Sequence, residues 1–161
     1  MDYELLWELM KDFRRSDRQL AKILKASQPT VTRRRAKLEE EVIEGYTANP
    51  KWEKLGYGIL AITFVKAIGI FSSKKYVNIR KQGMEWMAKH PNIIMGGACE
   101  GMGMNVFIIS LHKNYSDYSD FMLEHRLEMG GFVEDVQTIL VDLRRTGRLK
   151  PFHLKYLANA K

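Results

Sequence analysis

Apolar residues in the first fifty positions recur three or four residues apart, which is the spacing of an α-helix with one buried face. The pattern predicts a first helix from about Tyr3 to Phe13. Ser16-Asp17-Arg18-Gln19 has the S-x-x-Q form of a capping box and introduces a short second helix. Ser27 is a candidate N-cap for a third helix, which has Pro29 in its first turn and runs to about Glu41.

The chain changes character after the third predicted helix. Val42, Ile43 and Tyr46 predict a short strand, and Asn49-Pro50 marks a turn after it. Two short helices joined by three or four residues, the second rich in basic side chains, describe a helix-turn-helix. With a strand behind it the motif is of the winged type, although the same pattern of helices also fits any small helical hairpin.

Beyond residues 49–57 the hydrophobic period alternates between strand-like and helix-like. Apolar, β-branched runs predict strands, and a hairpin around Gly101-Met102-Gly103 joins two of them. The buried face of the first helix here is expected to come from Tyr76 or Val77 with Ile79, Met84, Met87 and Ala88. The predicted elements are a strand at 59–68, a helix at 74–90, strands at 92–101 and 104–112, a helix from Ser116 or Asp117 to about Met129, and a strand at 133–143.

This β-α-β-β-α-β order predicts a ferredoxin-like domain, with an antiparallel sheet and both helices on one face. The opposite face needs a cover, and a second copy of the chain is the simplest one. The predicted fold class is therefore α+β, with an N-terminal helix-turn-helix and a C-terminal ferredoxin-like domain. The expected boundaries are 1–48 for the helix-turn-helix domain, 49–57 for a linker, 58–145 for the ferredoxin-like domain and 146–161 for a basic tail.

Composition adds a bias toward anionic partners. The 161 residues are 45% hydrophobic and 28% charged, with a formal net charge of +7. Nine basic residues and one acid fall between Arg14 and Lys37, inside the predicted helix-turn-helix. A solvated charged face is the ordinary explanation for such a run, and its position in this motif is what favours DNA. A second block, from Arg144 to Lys161, has six basic residues and no acid. Its apolar side chains favour docking on a neighbouring subunit over contact with phosphates.

Helical rotation separates the three consecutive arginines of the third helix. With Val31 at the centre of the packed face, Arg33 lies about 160° away, Arg34 about 60° and Arg35 about 40°. We expect Arg33 to enter the major groove and Arg34 to reach a phosphate. Arg35 is expected at the core margin with its head near water or Glu39, so that Arg35→Leu holds or raises stability. The predicted DNA-binding residues are Gln28, Pro29, Thr30, Thr32, Arg33, Arg34 and Lys37.

Other chemistry has little support in the sequence. Cys99 is the single cysteine, which excludes an intrachain disulfide and fits the cytoplasm. The four histidines lack metal-ligand spacing, and no hydrolase, P-loop or metalloprotease motif occurs, so we expect no catalytic residue, metal or cofactor. The N-terminal residues do not read as a signal peptide, and no segment approaches the roughly 18 apolar residues of a membrane span.

The chain resembles the Lrp/AsnC (feast/famine) family of transcription regulators over nearly its whole length. The likeness is carried by "PTVTRRRAKLEEEVIEGYTA" at 29–48, "EKLGY" at 53–57 and "VQTILV" at 136–141. The resemblance implies that residues 58–145 sense an effector and form oligomers. It also implies double-stranded DNA as a partner, a homodimer or a higher homo-oligomer such as a tetramer or octamer, and a small-molecule effector such as an amino acid.

The chain also departs from the pattern of that family. Arg35 stands where an apolar β-branched residue is usual, and Val42 follows Glu41 without the usual glycine. The hairpin reads Gly-Met-Gly-Met at 101–104, where Gly-Asp-Tyr-Asp is typical, so the carboxylates that would hold an amino group are missing. We expect the hairpin 100–105 at a subunit contact. The predicted effector or interface residues are Gly101, Met102, Met104, Asn105 and Thr138.

The predicted function is that of a sequence-specific DNA-binding transcriptional regulator, modulated by a small ligand, and not that of an enzyme. Two alternatives stay open at this stage. Some enzymes of haem biosynthesis resemble the family in fold, and a bound porphyrin would reveal such an enzyme by its absorbance. The second alternative is an architectural protein that coats or wraps DNA, which the length of a footprint would distinguish from an operator-binding protein.

Overall fold

The computed structural model describes residues 2–68, 73–144, 150 and 152–159. Its backbone contacts divide the chain into two compact units. One unit is built from Met1–Asn49 together with Leu149–Lys161, and the other from Pro50–Arg148. The described part of the predicted basic tail therefore belongs to the N-terminal unit of its own chain.

The N-terminal unit contains the three predicted helices, which we label α1 (Tyr3–Lys11), α2 (Asp17–Ile23) and α3 (Gln28–Glu41). Helix α1 ends two residues before the predicted end because Asp12 is extended and acts as its C-cap. The predicted capping box of α2 is confirmed, with Ser16 and Gln19 each satisfying the backbone of the other. A connection of four residues leads from α2 to α3, as a helix-turn-helix requires.

A small apolar core holds the three helices together. Leu5 of α1, Leu20 of α2 and Val31 of α3 have no exposed surface. Leu38, two turns after Val31 on α3, is also buried. Burial of each such side chain stabilises the fold by about 1.5–3 kcal/mol. The spacing of Val31 and Leu38 sets the rotation of α3, because both must face α1 and α2.

The predicted short strand after α3 is not formed: residues 43–50 have no strand or helix. A strand requires a neighbouring strand to pair with, and this segment uses its side chains instead. Ile43 packs against the helical core, and the ring of Tyr46 stacks on that of Phe13 with 5.5 Å between centroids. The helix-turn-helix thus lacks a β-wing over these residues.

The second unit has the predicted β-α-β-β-α-β order, which is confirmed. A 3-10 turn at Trp52–Leu55 precedes it. The elements are β1 (Ile59–Ala67), α4 (Ser73–Lys89), β2 (Ile93–Gly101), β3 (Met104–His112), α5 (Tyr115–Met129) and β4 (Val133–Asp142). Helix α5 begins one residue earlier than predicted because Asn114 is its N-cap and accepts from the Asp117 backbone N–H at 3.0 Å.

The four strands form one antiparallel sheet in the order β2-β3-β1-β4. The paired residues Val65, Val106 and Val136 lie on the face that carries the helices. The paired residues Ile62, Ile109 and Ile139 lie on the opposite face, since side chains alternate along a strand. Neither α4 nor α5 covers that second face, and Ile139 is 57% exposed.

The buried face of α4 differs from the predicted one. Ile79 is buried as predicted, but Trp86 provides the main core contact, while Val77, Met84 and Ala88 are exposed. Ile79 and Trp86 are seven residues apart and therefore lie on one side of the helix. The large indole fits between the rings of α5, which the linear pattern of methionines does not indicate.

Candidate nucleic-acid interface

The leading end of α3 is exposed and firmly capped. The side chain of Ser27 accepts from the Thr30 backbone N–H at 3.4 Å, and the two hydroxyls lie 2.7 Å apart. Pro29 occupies the first turn, where its missing N–H costs no helical hydrogen bond. Gln28 and Pro29 are exposed, so this end of α3 can approach another molecule closely.

The three arginines of α3 have three different environments. Arg33 is exposed and has no ion-pair partner among the described residues. Arg34 forms an ion pair with Asp2, the N-cap of α1, over 3.1 Å between Nη1 and Oδ2. Arg35 is about three-quarters buried at its side chain and lies between the helices. The burial of these side chains agrees with the predicted rotation of α3. Arg34, which was expected to reach a phosphate, is instead paired with Asp2 of its own chain.

Arg35 connects all parts of the helix-turn-helix. Its guanidinium donates to Glu39 Oε1 at 2.9 Å, to Asp17 Oδ1 at 3.2 Å and to the backbone oxygen of Arg15 at 3.3 Å. A longer bond of 3.5 Å reaches the backbone oxygen of Phe13. Helical spacing predicts the contact of Arg35 with Glu39, but it does not predict the partners at 13–17, which are distant in sequence. They are brought to Arg35 only when α2 packs on α3.

Tyr46 completes this cluster of charges. Its hydroxyl donates to Glu39 Oε1 at 2.8 Å, and its ring lies 5.6 Å from the carbon of the Arg35 guanidinium. Hydrogen bonds from Arg35 and then Tyr46 lower the pKa of Glu39. Burial lowers the pKa of Arg35, but the hydrogen bonds with Glu39 and Asp17 outweigh it and raise the pKa overall. Arg35 therefore stays charged and serves the fold of the motif.

Two other predicted contact residues are also engaged inside the unit. Thr32 Oγ1 donates to Asp17 Oδ2 at 2.6 Å and lies 3.1 Å from the backbone oxygen of Gln28. Lys37 lies 3.7 Å from Glu41, one turn further along α3, and both side chains are mostly exposed. An exposed pair of this kind contributes about 0.3–0.5 kcal/mol, so Lys37 can exchange Glu41 for a phosphate at little cost.

The nine cations of the helix-turn-helix fall into two groups, according to whether they form an ion pair within the unit. Five of them form ion pairs within the unit: Arg14, Arg15, Arg34, Arg35 and Lys37. The other four are exposed and have no ion pair among the described residues: Arg18, Lys22, Lys25 and Arg33. These four come from α2, the turn and α3. We call them the free-cation set. Arg18, Lys22 and Lys25 were counted in the charge excess, but the sequence alone gave no reason to prefer them over their paired neighbours.

Four of the predicted effector and interface residues lie at the hairpin end of the sheet, whereas Thr138 pairs with Thr63 in the middle of β4. Met102 is 73% exposed and has a positive φ of 51° at the tip of the hairpin, next to Gly103 at 73°. Met104 is buried within its own chain at 4% exposure, so its side chain is not free to contact another molecule. Gly101 pairs with Met104 across the turn.

Asn105 and Thr138 are held by neighbouring strands. The side-chain amide of Asn105 accepts from the Ala67 backbone N–H at 2.9 Å and donates to its oxygen at 3.1 Å. It extends the contact between β1 and β3 past Val65 and Val106, the last residues of these strands that pair directly. The hydroxyls of Thr138 and Thr63 lie 3.1 Å apart. Both residues therefore support the sheet, and Met102 alone of the five presents a largely exposed side chain.

The described part of the chain contains neither a metal-binding cluster nor a membrane-spanning helix. Among residues 2–68, 73–144 and the described tail, no three His, Cys, Asp or Glu side chains are arranged to hold a metal ion. No helix over the same residues is both long enough and apolar enough to cross a membrane.

The geometry defines a class of protein: a helix-turn-helix with an exposed, cationic recognition helix joined to a ferredoxin-like domain. No protein-family model matches the chain. It is 41% identical over 123 residues to a helix-turn-helix-type transcriptional regulator of Pyrococcus abyssi, covering 76% of this chain and 78% of that one. The chain belongs to the family of helix-turn-helix-type transcriptional regulators.

Solved structures agree in fold. A transcriptional regulator of Neisseria meningitidis in complex with L-methionine superimposes with a TM-score of 0.77 at 20% identity, covering 97% of this chain and 96% of that one. An AsnC-family regulator of Agrobacterium tumefaciens gives a TM-score of 0.77 at 18% identity, with 97% of each chain covered. The relative from Pyrococcus abyssi is named as a regulator, so the enzyme alternative has no support from it. The protein is a DNA-binding transcriptional regulator.

Proposed function

We propose that the protein recognises a near-palindromic operator as a dimer or larger assembly, with α3 as the recognition helix. Arg33 would read base edges in the major groove, and Gln28, Pro29 and Thr30 would make contacts at the leading end of the helix. The single observation that carries this proposal is the free-cation set, four exposed charges on one helix-turn-helix that form no ion pair with any residue the structure describes. Arg18, Lys22 and Lys25 would bind phosphates and fix the register.

The dimer in this proposal forms through the face of the sheet that α4 and α5 leave open. Ile62, Ile109 and Ile139 lie side by side on that face, and Phe64 and Phe107 form the next row. Exposed apolar surface of this extent on a sheet is costly in water, and a second copy would cover it symmetrically. Met102 at the exposed hairpin tip is our candidate for contacts that build a tetramer or octamer from dimers.

The division of roles along the chain belongs to the same proposal. Residues 1–48 would bind DNA, 49–57 would act as the linker, and 58–145 would sense an effector and form oligomers. The described tail residues pack against α1 and would support the DNA-binding unit. We place the protein in the cytoplasm, which fits its DNA-binding role and its single cysteine. The relative solved with L-methionine supports a small effector, although the hairpin here carries methionines where carboxylates would hold an amino group.

Selection of binding sites from random DNA, followed by titration with salt, tests the proposal. We expect near-palindromic sites with half-sites about one helical turn or a multiple of it apart. If each subunit neutralises about three to five phosphates, log K falls with log[salt] with a slope near −5 to −9. A flat salt response, or specific binding by a stable monomer, contradicts the proposal. A footprint that lengthens steadily with protein concentration would instead indicate the coating function.

Light scattering on two neighbouring variants tests the dimer. Ile139→Asp places a charge on the open face, and we expect it to shift the assembly toward monomer. Leu140→Asp is the matched control because Leu140 is the next residue on the same strand and points to the other face of the sheet. Equal assembly sizes for both variants and the parent would exclude this face as the interface. Met102→Asp tests the larger assembly, and we expect it to leave dimers intact.

A further inference from the structure

The helix-facing side of the C-terminal unit contains a cavity of about 720 Å³ between α4 and the sheet. Ala98 and Gly96 lie on the helix-facing side of β2, yet both are exposed, so α4 does not close over this part of the sheet. The volume lies within the range of about 300–1,000 Å³ that is typical of small-molecule sites. All the residues that line the cavity belong to the C-terminal unit.

Two glycine positions open this space. Gly83 lies in the middle of α4 and lines the cavity, and a Cβ placed there would meet no atom within 4 Å. Glycine in the middle of a helix is less stable than alanine, so the open space at Gly83 is present at some expense of helix stability. Opposite it, Gly96 lets the sulfur of Met87 approach to within 2.5 Å of the position that a Cβ would occupy.

The lining is apolar, and its few polar groups are donors or neutral. Met87, Ile93 and Ile108 supply walls, while Arg80 on α4 is exposed at the cavity without an ion-pair partner among the described residues. His125 of α5 is 5% exposed and contacts the indole of Trp86 edge-on, with 5.0 Å between ring centroids. No aspartate or glutamate that the structure describes lines the cavity. Among the described residues it therefore offers a positive charge to an anion and no carboxylate to an ammonium group.

Trp86 supplies a second polar group at the cavity, the N–H donor of its indole ring. Its side chain lines the cavity and is 4% exposed, and its Nε1–H is buried without a hydrogen-bond acceptor among the described residues. Buried donors in folded proteins nearly always have a partner. An acceptor oxygen on a molecule bound in the cavity would supply this partner.

We propose that this cavity binds an apolar carboxylic acid that lacks an α-amino group, such as an aromatic or branched-chain 2-oxo acid. The apolar body would lie between α4 and the sheet, and the oxygens would face Arg80 and the Trp86 N–H. As a regulatory site it rests on the proposed function, but binding itself does not require DNA. Of the described residues of the hairpin 100–105, only Asn105 lines the cavity, so the site lies apart from the hairpin tip at Met102 and Gly103.

Calorimetric titration of the full chain, without DNA, compares phenylpyruvate with phenylalanine. The two probes share the ring and the carboxylate and differ in the 2-oxo or 2-ammonium group. We expect one phenylpyruvate per chain, bound at least tenfold more tightly than phenylalanine. Equal or tighter binding of phenylalanine, or no binding of phenylpyruvate, overturns the proposal. Operator binding is measured separately, so failure of the ligand site with intact DNA binding leaves the proposed function standing.

A cavity-filling variant and a matched control variant test where the ligand binds. Gly83→Leu places a side chain in the open space of the cavity, and we expect at least a tenfold loss of phenylpyruvate affinity with an unchanged or higher melting temperature. Asn78→Leu is the matched control because Asn78 is exposed on the same helix and does not line the cavity. Wild-type affinity in Gly83→Leu, with the expected melting temperature, would place any binding elsewhere and overturn the assignment.

Discussion

Individual side chains of α3 separate recognition from folding, although they are adjacent in sequence. Arg33 extends from the exposed side of the helix, whereas Arg35 is held by Asp17, Glu39 and two backbone oxygens. A guanidinium with four such partners cannot leave them for a base without a large loss. The neighbouring positions therefore carry different functions because the helix turns by about 100° per residue.

Arg33→Ala is the residue-scale test of recognition. We expect a loss of about 1–3 kcal/mol in specific binding, because a guanidinium that grips one base pair contributes that much discrimination. The melting temperature should not change, since Arg33 is exposed and unpaired among the described residues. Affinity is measured by fluorescence anisotropy on a selected operator and on scrambled DNA. Equal losses on the two DNAs would show a phosphate contact instead of base recognition.

Arg35→Leu is the test of the charge cluster, and the structure reverses the expectation drawn from rotation alone. We now expect a loss of about 1–3 kcal/mol in the free energy of unfolding, because several hydrogen bonds to charged groups are removed. Urea denaturation measures this loss. Lys37→Leu is the control, since its ion pair with Glu41 is exposed and should change stability by no more than about 0.5 kcal/mol. A variant of Arg35 as stable as the control contradicts the role given to the cluster.

At the scale of elements, the hairpin between β2 and β3 uses an unfavourable residue at its tip. Met102 and Gly103 both have positive φ, as a two-residue type I′ turn requires. Asparagine-glycine is the preferred pair for that turn, and methionine has no local hydrogen bond to offset the strain.

Met102→Asn should therefore stabilise the protein by about 0.5–1 kcal/mol. Thermal unfolding measures the change. Met95→Asn is the comparison, because Met95 is also an exposed methionine but lies within strand β2, where asparagine is disfavoured. A destabilised Met102→Asn, with unchanged oligomer size, would show that the turn conformation is not strained by methionine.

The packing of α5 on the sheet predicts a dependence of stability on pH. Burial lowers the pKa of His125, and nearby His90 lowers it further; burial also lowers the pKa of His112 against the opposing effect of Asp117. Below the unfolded value of about 6.5 the unfolded chain binds protons that the folded chain does not. This contribution to stability is complete above about pH 6.5 and is lost as pH falls toward the folded pKa.

We expect the free energy of unfolding to fall between pH 7 and pH 5, by at most about 1.4 kcal/mol per pH unit for each histidine. His125→Gln should make the decline shallower. Arg126→Gln, at the adjacent position of α5, should leave the slope unchanged because arginine does not titrate in this range. Denaturant titrations at several pH values measure the slopes, and identical slopes for His125→Gln and the parent would contradict the prediction.

At the scale of the whole molecule, residues from the end of the chain complete the N-terminal unit. Ala158, in a short helix at Lys155–Ala158 that we label α6, is buried, and the Asn49 side-chain amide donates to the backbone oxygen of Phe152. The sequence indicated that this segment is too apolar to be free and favoured a neighbouring subunit as its support. Within the described residues it packs against α1 of the same chain.

Truncation after Thr146 should therefore lower the melting temperature. Ala158→Asp should reproduce most of the loss by placing a charge at a buried position, while Leu157→Asp makes the same charge change at an exposed neighbour and should have little effect. Differential scanning calorimetry measures all three. If truncation leaves both the melting temperature and the DNA affinity unchanged, the tail has neither the structural role nor a phosphate contact.

The sequence by itself determined the order and type of the main elements. Hydrophobic period, capping residues and turn glycines act over a few residues, so Ser16, Ser27 and the 101–103 hairpin could be assigned without a structure. The rotation of α3 was also accessible, because Val31 and Leu38 define its buried side through helix geometry alone. The resemblance of the segments 29–48, 53–57 and 136–141 to a known family then indicated the class of protein.

Only the tertiary structure decided which of these residues have partners. Asp17 and the backbone of Phe13 reach Arg35 across about twenty residues of chain, Asp2 reaches Arg34 from another helix, and Met104 turns inward while Met102 stays exposed. The segment at 43–50 had the residues of a strand but gained no strand to pair with. Pairing, burial and ion pairs depend on distances between elements, and a linear pattern specifies each element without specifying what packs beside it.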